Sequence, residues 1–523
     1  MPTSAQPHDQ HTPVSLRAER LIRRAAGSGN RAIAGVVVEL QIEDQAVRSR
    51  VAAVLERMGA RFWRDAAAHE ESETVAARSL VISDRVDAGP LRERAAGERI
   101  EWAALNMGAT GEIAHELAAR GVLRGERVLL SLVLEPKTAA LALAVMRAGA
   151  DVAVFGAVNE TDPRIAAELA SRGCAVFAPQ QETAAADTET LDREHAAAAL
   201  EWAPTLLVDD GAHLIRLAHT EHQSVLSVNG GELRAASEET TSGVRPLEEM
   251  AALGALQLPV LAANDARTKR DFDNLIGTGQ SCVFAIADLL DRDEAAAAGI
   301  MAGVHGKRWV VLGYGPVGFG VARFASAFGA RITVVERDAV RALAAMHDGH
   351  EAASLELALP DADVVVSATG VWHTLNAEAL RLLRPSAVVA VAGGIDDEVG
   401  LDELLALGWE ATGIAEHLDR WCPADSSRDE GFLLLAGGGG VNYTAAEGNP
   451  IEAMDLSFAT QLVALDRIAQ GELEPGVHRL SSGDEDRVAR AALTAFGRAA
   501  DPRTASKRPG GAAQDWHAHR YRA

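Results

Sequence analysis

The chain has 523 residues, 48% of them apolar, which is too long for a single ordinary core and predicts two or three globular domains. Its net charge of -24 argues against a nucleic-acid or anionic-membrane partner, because phosphate binding needs clustered Lys and Arg. No apolar run could cross a bilayer and the N-terminus lacks a secretion signal, so we expect a cytoplasmic protein. The three cysteines, Cys174, Cys282 and Cys422, lie too far apart in sequence for a disulfide framework or a zinc site, so we expect no metal.

The first part of the chain predicts a tail followed by a small α/β unit. Residues 1–30 are polar and contain Pro, His and Gly, which is typical of disorder. AIAGVVVELQ then predicts a strand, EDQAVRSRVAAVLERMGARF an amphipathic helix, and SLVISD a second strand. We assign residues 31–98 to this N-terminal extension.

A longer alternation of helices and strands fills residues 99–276. The strands RVLLSLVL, DVAVFG, CAVFAP and TLLVDDG alternate with helices such as KTAALALAVMRAGA, which predicts a parallel sheet. Ligands of such sheets bind at the carboxyl ends of the strands, where Glu135 and the Asp209-Asp210 pair would lie.

Residues 277–447 predict a second parallel sheet, built on RWVVLGYGPVGFG, ITVVERD, ADVVVSATG and SAVVAVAGG. Residues 448–497 predict a long helical return to the first domain, and the polar, Arg-rich residues 498–523 predict a C-terminal tail that would be disordered alone. The expected fold class is α/β, with two Rossmann-like, doubly wound parallel-sheet domains, the small N-terminal extension and the tail.

The strongest local motif is glycine-rich and follows the apolar strand WVVL. Its glycines would permit a tight turn, let a pyrophosphate approach the backbone and let helix and strand pack closely, and the helix N-terminus would meet the phosphate charge. Glu336 ends the next strand at roughly the twenty-residue spacing of a dinucleotide fingerprint. Its carboxylate would accept both ribose hydroxyls and repel a 2′-phosphate, which predicts NAD rather than NADP. The motif comprises Gly313, Gly315, Pro316, Val317 and Gly318.

Longer motifs resemble S-adenosyl-L-homocysteine hydrolase, in the same order, from about residue 105 onward. They are VDDGAHLIRLAHTEH, SEETTSGV, NDARTKRDFDNLIGTGQS, GYGPVGFG, GVNYTAAEGNPIEAMDLSF and the ending HRYRA. The resemblance implies an enzyme that keeps NAD bound, oxidises a nucleoside 3′-OH, eliminates the 5′ substituent, adds water to the alkene and reduces the ketone. Residues 99–276 would then bind substrate and residues 277–447 would bind NAD.

The resemblance also implies roles for individual residues. Lys269 and Asp273 would handle the 3′-OH proton, Glu239 would hold a ribose hydroxyl, and Asp210 would lie near C4′. We expect burial to pull the pKa of Lys269 toward neutrality. The implied cofactor contacts beyond the glycine motif and Glu336 are Thr240, Thr241, Asn274, Thr369, Asn442 and Tyr521. The implied substrate contacts are Glu135, Lys137, Thr138, Thr278, Gly394, Asn449, Met454 and Phe458.

Several positions depart from the family pattern, and they surround the base and the leaving group. Lys137 replaces a Glu that reads the adenine amino group, and Thr278 replaces a Cys. Three family histidines are Val133, Gly394 and Asn449 here, and a C-terminal Lys is His517, while Tyr521 is retained. We interpret this as a retained oxidation site beside a rebuilt leaving-group site, with no imidazole left to protonate a thiolate or guide water addition.

The leading hypothesis is an NAD-dependent lyase that dehydrates a purine nucleoside to a 4′,5′-alkene, as needed in nucleoside-antibiotic biosynthesis of the angustmycin A type. One alternative is a divergent S-adenosyl-L-homocysteine hydrolase. Another is a catalytically silent NAD-binding regulator, against which the joint presence of Asp210, Glu239, Lys269 and Asp273 argues. We expect a homo-oligomer, a tetramer or dimer, whose tail contacts the NAD of a neighbouring subunit.

Overall fold

The computed structural model describes residues 13–62, 79–85, 91–181, 183, 188–297, 299–393, 397–424, 426 and 430–501. Gly394, His517 and Tyr521, named above as site positions, lie outside these ranges. Within these ranges no helix is both long and apolar enough to cross a membrane.

The N-terminal extension begins with a helix, Val14–Gly27. A three-stranded parallel sheet follows in the order β2-β1-β3, with β1 (Val37–Gln41), β2 (Arg61–Phe62) and β3 (Leu80–Ser83). Between β1 and β2 lies the helix Gln45–Met58, which Asp44 caps and which Gly59 ends in the left-handed conformation.

The expectation of disorder over residues 1–30 is wrong for the helix Val14–Gly27. Its buried residues include Ala18, Ile22 and Ala26, four apart, so they form one face that packs into the core of the second domain. The polar composition that predicted disorder reflects ion pairs instead, since the buried Arg23 lies between Asp288 and Asp291. Residues 1–12 lie outside the described ranges.

The first large sheet has seven parallel strands in the order β18-β9-β8-β7-β4-β5-β6. The strands are β4 (Arg127–Ser131), β5 (Asp151–Phe155), β6 (Ala175–Phe177), β7 (Leu206–Asp209), β8 (Ala235–Glu238), β9 (Pro259–Ala262) and β18 (Gly476–His478). Its helices are Ala96–Asn106, Gly108–Arg120, Pro136–Arg147, Pro163–Ser171, Thr188–Glu201, His213–Thr220, Thr241–Ala252, Ile451–Ala469 and Ser482–Ala495. The edge strand β18 lies within the region for which the sequence predicted only helix.

The second large sheet has eight strands in the order β12-β11-β10-β13-β14-β17-β16-β15. The strands are β10 (Arg308–Leu312), β11 (Arg331–Val335), β12 (Glu351–Ala352), β13 (Val364–Ser367), β14 (Val388–Val391), β15 (Trp409–Ala415), β16 (Leu418–Pro423) and β17 (Phe432–Leu435). Its helices include Pro316–Phe328, Ala339–His347, Leu355–Ala358, Ala377–Leu380 and Leu401–Ala406. β16 pairs antiparallel with both neighbours, and the remaining pairs are parallel. The α/β fold class with two parallel-sheet domains is therefore confirmed.

The chain passes between the two sheets twice. The first crossover runs through residues 267–290, where a π-helix, Arg270–Gly277, leads into the helix Thr278–Leu290. The second runs through the short helix Val441–Thr444 into the helix Ile451–Ala469. π-helical turns are uncommon and concentrate at functional sites. Both crossovers border the cavity described next.

Candidate active site

A cavity of about 860 Å³ lies between the two sheets, with walls formed from both. Of the residues singled out from the sequence, the structure brings these into its lining: Glu135, Thr138, Asp210, Glu239, Thr240, Thr241, Lys269, Asp273, Asn274, Thr278, Gly313, Gly315, Pro316, Val317, Glu336, Thr369, Asn442, Asn449, Met454 and Phe458. Lys137 and Gly318 are described but do not line it. Motifs separated by up to about three hundred residues thus meet in one space.

Lys269 lies at the centre of a buried polar cluster on the first crossover. Its Nζ lies 2.9 Å from Asp273 Oδ2 and 3.7 Å from Glu239 Oε1, and it donates to Asn274 Oδ1 at 2.6 Å. Asp273 and Asn274 follow Lys269 by four and five residues. The wide turn of the π-helix, whose hydrogen bonds span five residues, lets both point toward the ammonium.

Glu239 is fixed by the long helix of the second crossover. Ser457 donates to its Oε1, and Gln461 donates to its Oε2. Met454 and Phe458, which line the cavity, lie on the same face of that helix, because positions i, i+3, i+4 and i+7 align. Sequence reasoning missed Ser457 and Gln461, although their spacing from Met454 and Phe458 was a usable signal.

Three further carboxyl groups lie at the carboxyl ends of β7 and β8: the buried Asp209 and Glu238 end the two strands, and the half-buried Asp210 follows Asp209 and lines the cavity. Burial raises the pKa of Asp210 to about 6; the Lys269 charge and the Thr240 hydroxyl lower it, and Asp209 raises it further. Burial likewise raises the pKa of Asp209 to about 6 and that of Glu238 well above its ordinary value. Glu238 accepts three backbone N–H groups and so holds the turn after β7 in place.

The expectation that burial brings the pKa of Lys269 toward neutrality is wrong. Burial does lower this pKa, but the charges of Asp273 and Glu239 and the hydrogen bond to Asp273 more than offset it, so the pKa lies above its ordinary value. Lys269 is therefore an ammonium that donates hydrogen bonds. Of the two aspartates with a pKa of about 6, Asp210 lines the cavity and is poised to accept a proton there near neutral pH.

The glycine motif lies at the opposite wall, between β10 and the helix Pro316–Phe328. A Cβ on Gly318 would lie 2.0 Å from the carbonyl oxygen of Gly313, so only glycine permits this packing of turn against helix. Gly313 itself has φ +86°. At Gly315 a Cβ would meet nothing nearer than an Arg341 nitrogen at 3.7 Å, which leaves the backbone open toward the cavity. The described geometry thus fits a pyrophosphate at the helix N-terminus.

Two polar groups beside this motif also fit a dinucleotide. Glu336 accepts from Tyr314 N at 2.7 Å and from Asp338 N at 2.9 Å, which fixes its carboxylate at the end of β11. Asn442 Oδ1 is buried on the cavity wall without a hydrogen-bond partner, as a carboxamide-binding group would be before its ligand arrives. Thr369, also in the lining, donates to the buried Glu398 at 2.9 Å.

Comparisons with known proteins identify the family of the chain. Residues 91–232 match the family model described as S-adenosyl-L-homocysteine hydrolase, and residues 281–448 match the NAD binding domain of that family. The S-inosyl-L-homocysteine hydrolase of Methanopyrus kandleri is 34% identical over 415 residues, which cover 76% of this chain and 90% of that protein. The adenosylhomocysteinase of Thermotoga maritima is 34% identical over 416 residues, 78% of this chain and 97% of that protein.

This chain belongs to the S-adenosyl-L-homocysteine hydrolase family. It is an NAD-dependent enzyme of the adenosylhomocysteinase type, and a nucleoside is the substrate class that fits this family. Within the described ranges, no group of three or more His, Cys, Asp and Glu side chains is placed to hold a metal ion.

Two positions that depart from the family pattern contact each other. Asn449 Nδ2 donates to Asp273 Oδ1 at 2.5 Å and to Thr278 Oγ1 at 2.9 Å. Asn449 Oδ1 accepts from Ser281 at 2.8 Å and from Asn442 at 3.1 Å. Asn449 and Thr278, which the resemblance sets in place of a family His and Cys, thus form one hydrogen-bonded unit that is joined directly to the Asp273 carboxylate.

Of the two other described departures, Val133 lines the cavity, whereas Lys137 lies elsewhere than the sequence suggested. It is buried, its Nζ lies 2.9 Å from Glu135 Oε2, and it donates to the carbonyl oxygen of Glu447 at 3.0 Å. The Lys thus pairs with a neighbouring carboxylate and does not reach the cavity lining, because Glu135 caps its own helix and attracts the ammonium. Glu135 is the member of the pair that faces the cavity.

The expectation that no imidazole is left is corrected for the cavity as a whole. His213 lines the cavity three residues after Asp210, and its ring meets Phe155 edge-on with centroids 5.6 Å apart. Burial lowers its pKa, which Asp192 in the same wall partly offsets. Sequence reasoning overlooked it because the family resemblance directed attention to the positions where family histidines were lost.

Proposed function

We propose that this enzyme is a lyase that removes the 5′ substituent of a purine nucleoside, and that its substrate carries a free 5′-OH that leaves as water. The observation that carries the proposal is the contrast between two adjoining clusters. Lys269, Asp273, Asn274 and Glu239 form a complete polar cluster, whereas Asn449 and Thr278 replace the family's His and Cys directly beside it.

The glycine motif, Glu336 and Asn442 would hold NAD, which when bound would supply reversible oxidation of the ribose 3′-OH. The Lys269 ammonium donates to the 3′ oxygen and the Asp273 carboxylate takes its proton, at the 2.9 Å separation that a relay of protons requires. Glu239, held by Ser457 and Gln461, accepts from the neighbouring ribose hydroxyl. These three groups position the sugar for the elimination that follows.

The elimination step needs a base for the C4′ proton, and Asp210 has the matched pKa of about 6. The C4′–H bond breaks as its proton passes to the carboxylate, the electron pair forms the C4′–C5′ double bond, and the C5′–O bond breaks. Asp210 passes that proton to the departing hydroxide, which leaves as water. The 3′ oxygen regains its proton from Asp273 as the ketone is reduced, so the net change is the loss of one water and the nucleoside keeps its 3′-OH.

Water is not added back in this proposal. The groups that replace the family's His and Cys are an amide and a hydroxyl whose hydrogen bonds are already directed to Asp273, Ser281, Asn442 and each other. Neither an amide nor a hydroxyl can exchange a proton near neutral pH as an imidazole does. His213, the imidazole in the cavity lining, packs edge-on against Phe155 away from this unit, and burial lowers its pKa. The product would be a 4′,5′-unsaturated nucleoside of the kind found in nucleoside antibiotics of the angustmycin A type.

A second candidate function is hydrolysis of S-adenosyl- or S-inosyl-L-homocysteine, which the names of the similar relatives favour. The two candidates differ in the bond that breaks at C5′, a C–O bond in one and a C–S bond in the other. Incubation of the purified protein with S-adenosylhomocysteine, S-inosylhomocysteine and adenine nucleosides bearing a free 5′-OH, followed by mass spectrometry, separates them.

We expect a product lighter than the nucleoside by one water, and none from the matched 3′-deoxynucleoside, which has no hydroxyl to oxidise. Release of homocysteine with no dehydrated nucleoside would favour the hydrolase. Dehydration of the 3′-deoxynucleoside would contradict a mechanism that acidifies C4′ through a 3′-ketone.

A further inference from the structure

The N-terminal extension, which precedes the family match at residue 91, reaches the active site through a loop. The loop Ser28–Ile33 joins the helix Val14–Gly27 to the region of β1. Asn30, in its middle, has φ +46°, a left-handed conformation that Asn tolerates better than most residues. This conformation directs both its side chain and its carbonyl group to the turn Glu447–Ile451.

Asn30 makes three hydrogen bonds to the backbone of that turn. Its Nδ2 donates to the carbonyl oxygens of Glu447 at 3.0 Å and Asn449 at 3.1 Å, and its own carbonyl oxygen accepts from Ile451 N at 2.9 Å. The turn carries Asn449, whose side chain donates to Asp273. Asn30 therefore contacts the backbone of the same residue whose side-chain amide donates to the catalytic cluster.

The loop also ties the two crossovers together. Arg31 forms an ion pair with Glu452 at the start of the second crossover helix, and Ala32 N donates to the same carboxylate at 2.8 Å. On the first crossover, Gln280 accepts from Ile33 N at 2.8 Å and donates to the carbonyl oxygen of Arg31 at 2.9 Å. The loop thus bonds to both segments that pass between the sheets.

The loop is held in place by the helix Val14–Gly27, which precedes it. The helix that precedes it buries Ala18, Ile22 and Ala26 in the core that contains the helix Thr278–Leu290. Its Glu19 accepts from Val304 N at 2.8 Å and His305 N at 3.0 Å, so the extension is fixed to the second domain as well as to the turn. The N-terminal extension is therefore packed against, and hydrogen-bonded to, the second domain.

We propose that Asn30 is a positioning residue, through which the N-terminal extension holds the turn Glu447–Ile451 so that the Asn449 amide stays on Asp273 and Thr278. Asn449 is here bonded through its side chain to four residues, so a shift of the turn would move the Asp273 carboxylate relative to Lys269. The proposal rests on the proposed role of Asp273 only for its effect on rate. The contact of the extension with the turn stands without it.

The test uses the full-length protein and the variant Asn30→Asp. This substitution keeps the size of the side chain and the backbone hydrogen bond from Ile451 N, and it removes the two hydrogen bonds that Asn30 Nδ2 donates. Ser28→Ala is the matched control, because the Ser28 hydroxyl donates only to Ala25 in its own helix, at 2.8 Å. Asn30→Gly, which tolerates the left-handed conformation, should reproduce Asn30→Asp if that variant folds poorly.

We expect Asn30→Asp to speed amide hydrogen exchange in the turn Glu447–Ile451 and to lower kcat by about tenfold or more while KM and bound NAD stay unchanged, since a small misplacement of catalytic groups costs rate rather than binding. Ser28→Ala should match the wild type in both amide exchange and kcat. Unchanged exchange in the turn of Asn30→Asp, or equal loss of kcat in both variants, would overturn the proposal. The exchange measurement needs no substrate, so it stands even if the reaction proposed above is wrong.

Discussion

Asp210 is the residue whose titration controls the proposed reaction, because it must be a carboxylate to take the C4′ proton. With a pKa of about 6, raised chiefly by burial, it is protonated below that pH and ionised above it. We therefore expect kcat to rise with pH through about 6 and to level off above it. A profile of kcat against pH from 4.5 to 8.5 checks this.

The neighbouring carboxyl of Asp209 offers a sharper form of the same test. Its negative charge raises the pKa of Asp210, so Asp209→Asn should move the acid limb to lower pH. The Asn oxygen can still accept from Ile215 N, a bond of 2.8 Å in the wild type, which keeps the turn intact. A limb that stays in place or moves upward would show that another group is the base.

Lys269 is the second residue that decides the chemistry. Lys269→Ala removes the donor to the 3′ oxygen, and we expect turnover to fall by at least about 10²–10⁴-fold, the usual contribution of a general acid–base group. Bound NAD, measured after denaturation of the purified protein, should be retained because the glycine motif is untouched. Lys307→Ala, a lysine outside the cavity lining, is the control and should keep normal turnover.

At the scale of elements, the two helices that meet behind the cavity touch through glycines. A Cβ on Gly320, in the helix Pro316–Phe328, would lie 2.0 Å from the carbonyl oxygen of Leu275 and 3.0 Å from Gly279 Cα. The helix Pro316–Phe328 can therefore approach the π-helix Arg270–Gly277 this closely only because residue 320 has no side chain. The spacing of the two walls of the cavity depends on this contact.

We expect Gly320→Ala to push these helices apart, lower the free energy of unfolding by about 1–3 kcal/mol as overpacking does, and weaken NAD retention. Gly111→Ala is the matched control, because Gly111 also lies inside a helix but has nothing within 4 Å of its would-be Cβ. There we expect a gain of up to about 1 kcal/mol. Chemical denaturation of both variants measures the difference, and equal effects would contradict a close helix contact.

At the scale of the whole molecule, the assembly remains a prediction. The family resemblance places Tyr521 of the tail near the NAD of a neighbouring subunit. We expect the protein to be a tetramer or dimer by light scattering, and deletion of residues 515–523 to increase the rate at which NAD is lost on dilution. A monomer that keeps its NAD, or a truncated protein that loses NAD no faster, would contradict this prediction.

The sequence by itself determined the features that depend on local backbone demands and on long ordered motifs. The glycine motif between β10 and its helix was readable because only glycine tolerates φ +86° at Gly313 and a 2.0 Å approach at Gly318. Asp210, Glu239, Lys269 and Asp273 were found together because the motifs that carry them recur in order. Alternating apolar segments likewise predicted the parallel sheets.

Only the tertiary structure decided how charged and polar groups pair over long separations. The pKa of Lys269 depends on Glu239, which another element brings near. The position of Lys137 depends on the carbonyl group of Glu447, to which its ammonium donates. Asn30 and Asn449 lie more than four hundred residues apart and meet through hydrogen bonds. Such contacts leave no local periodicity, because each side chain's partner is set by how the elements pack. The helix Val14–Gly27 was mistaken for a disordered tail for the same reason: the carboxylates that pair with its Arg20 and Arg23 lie in another domain.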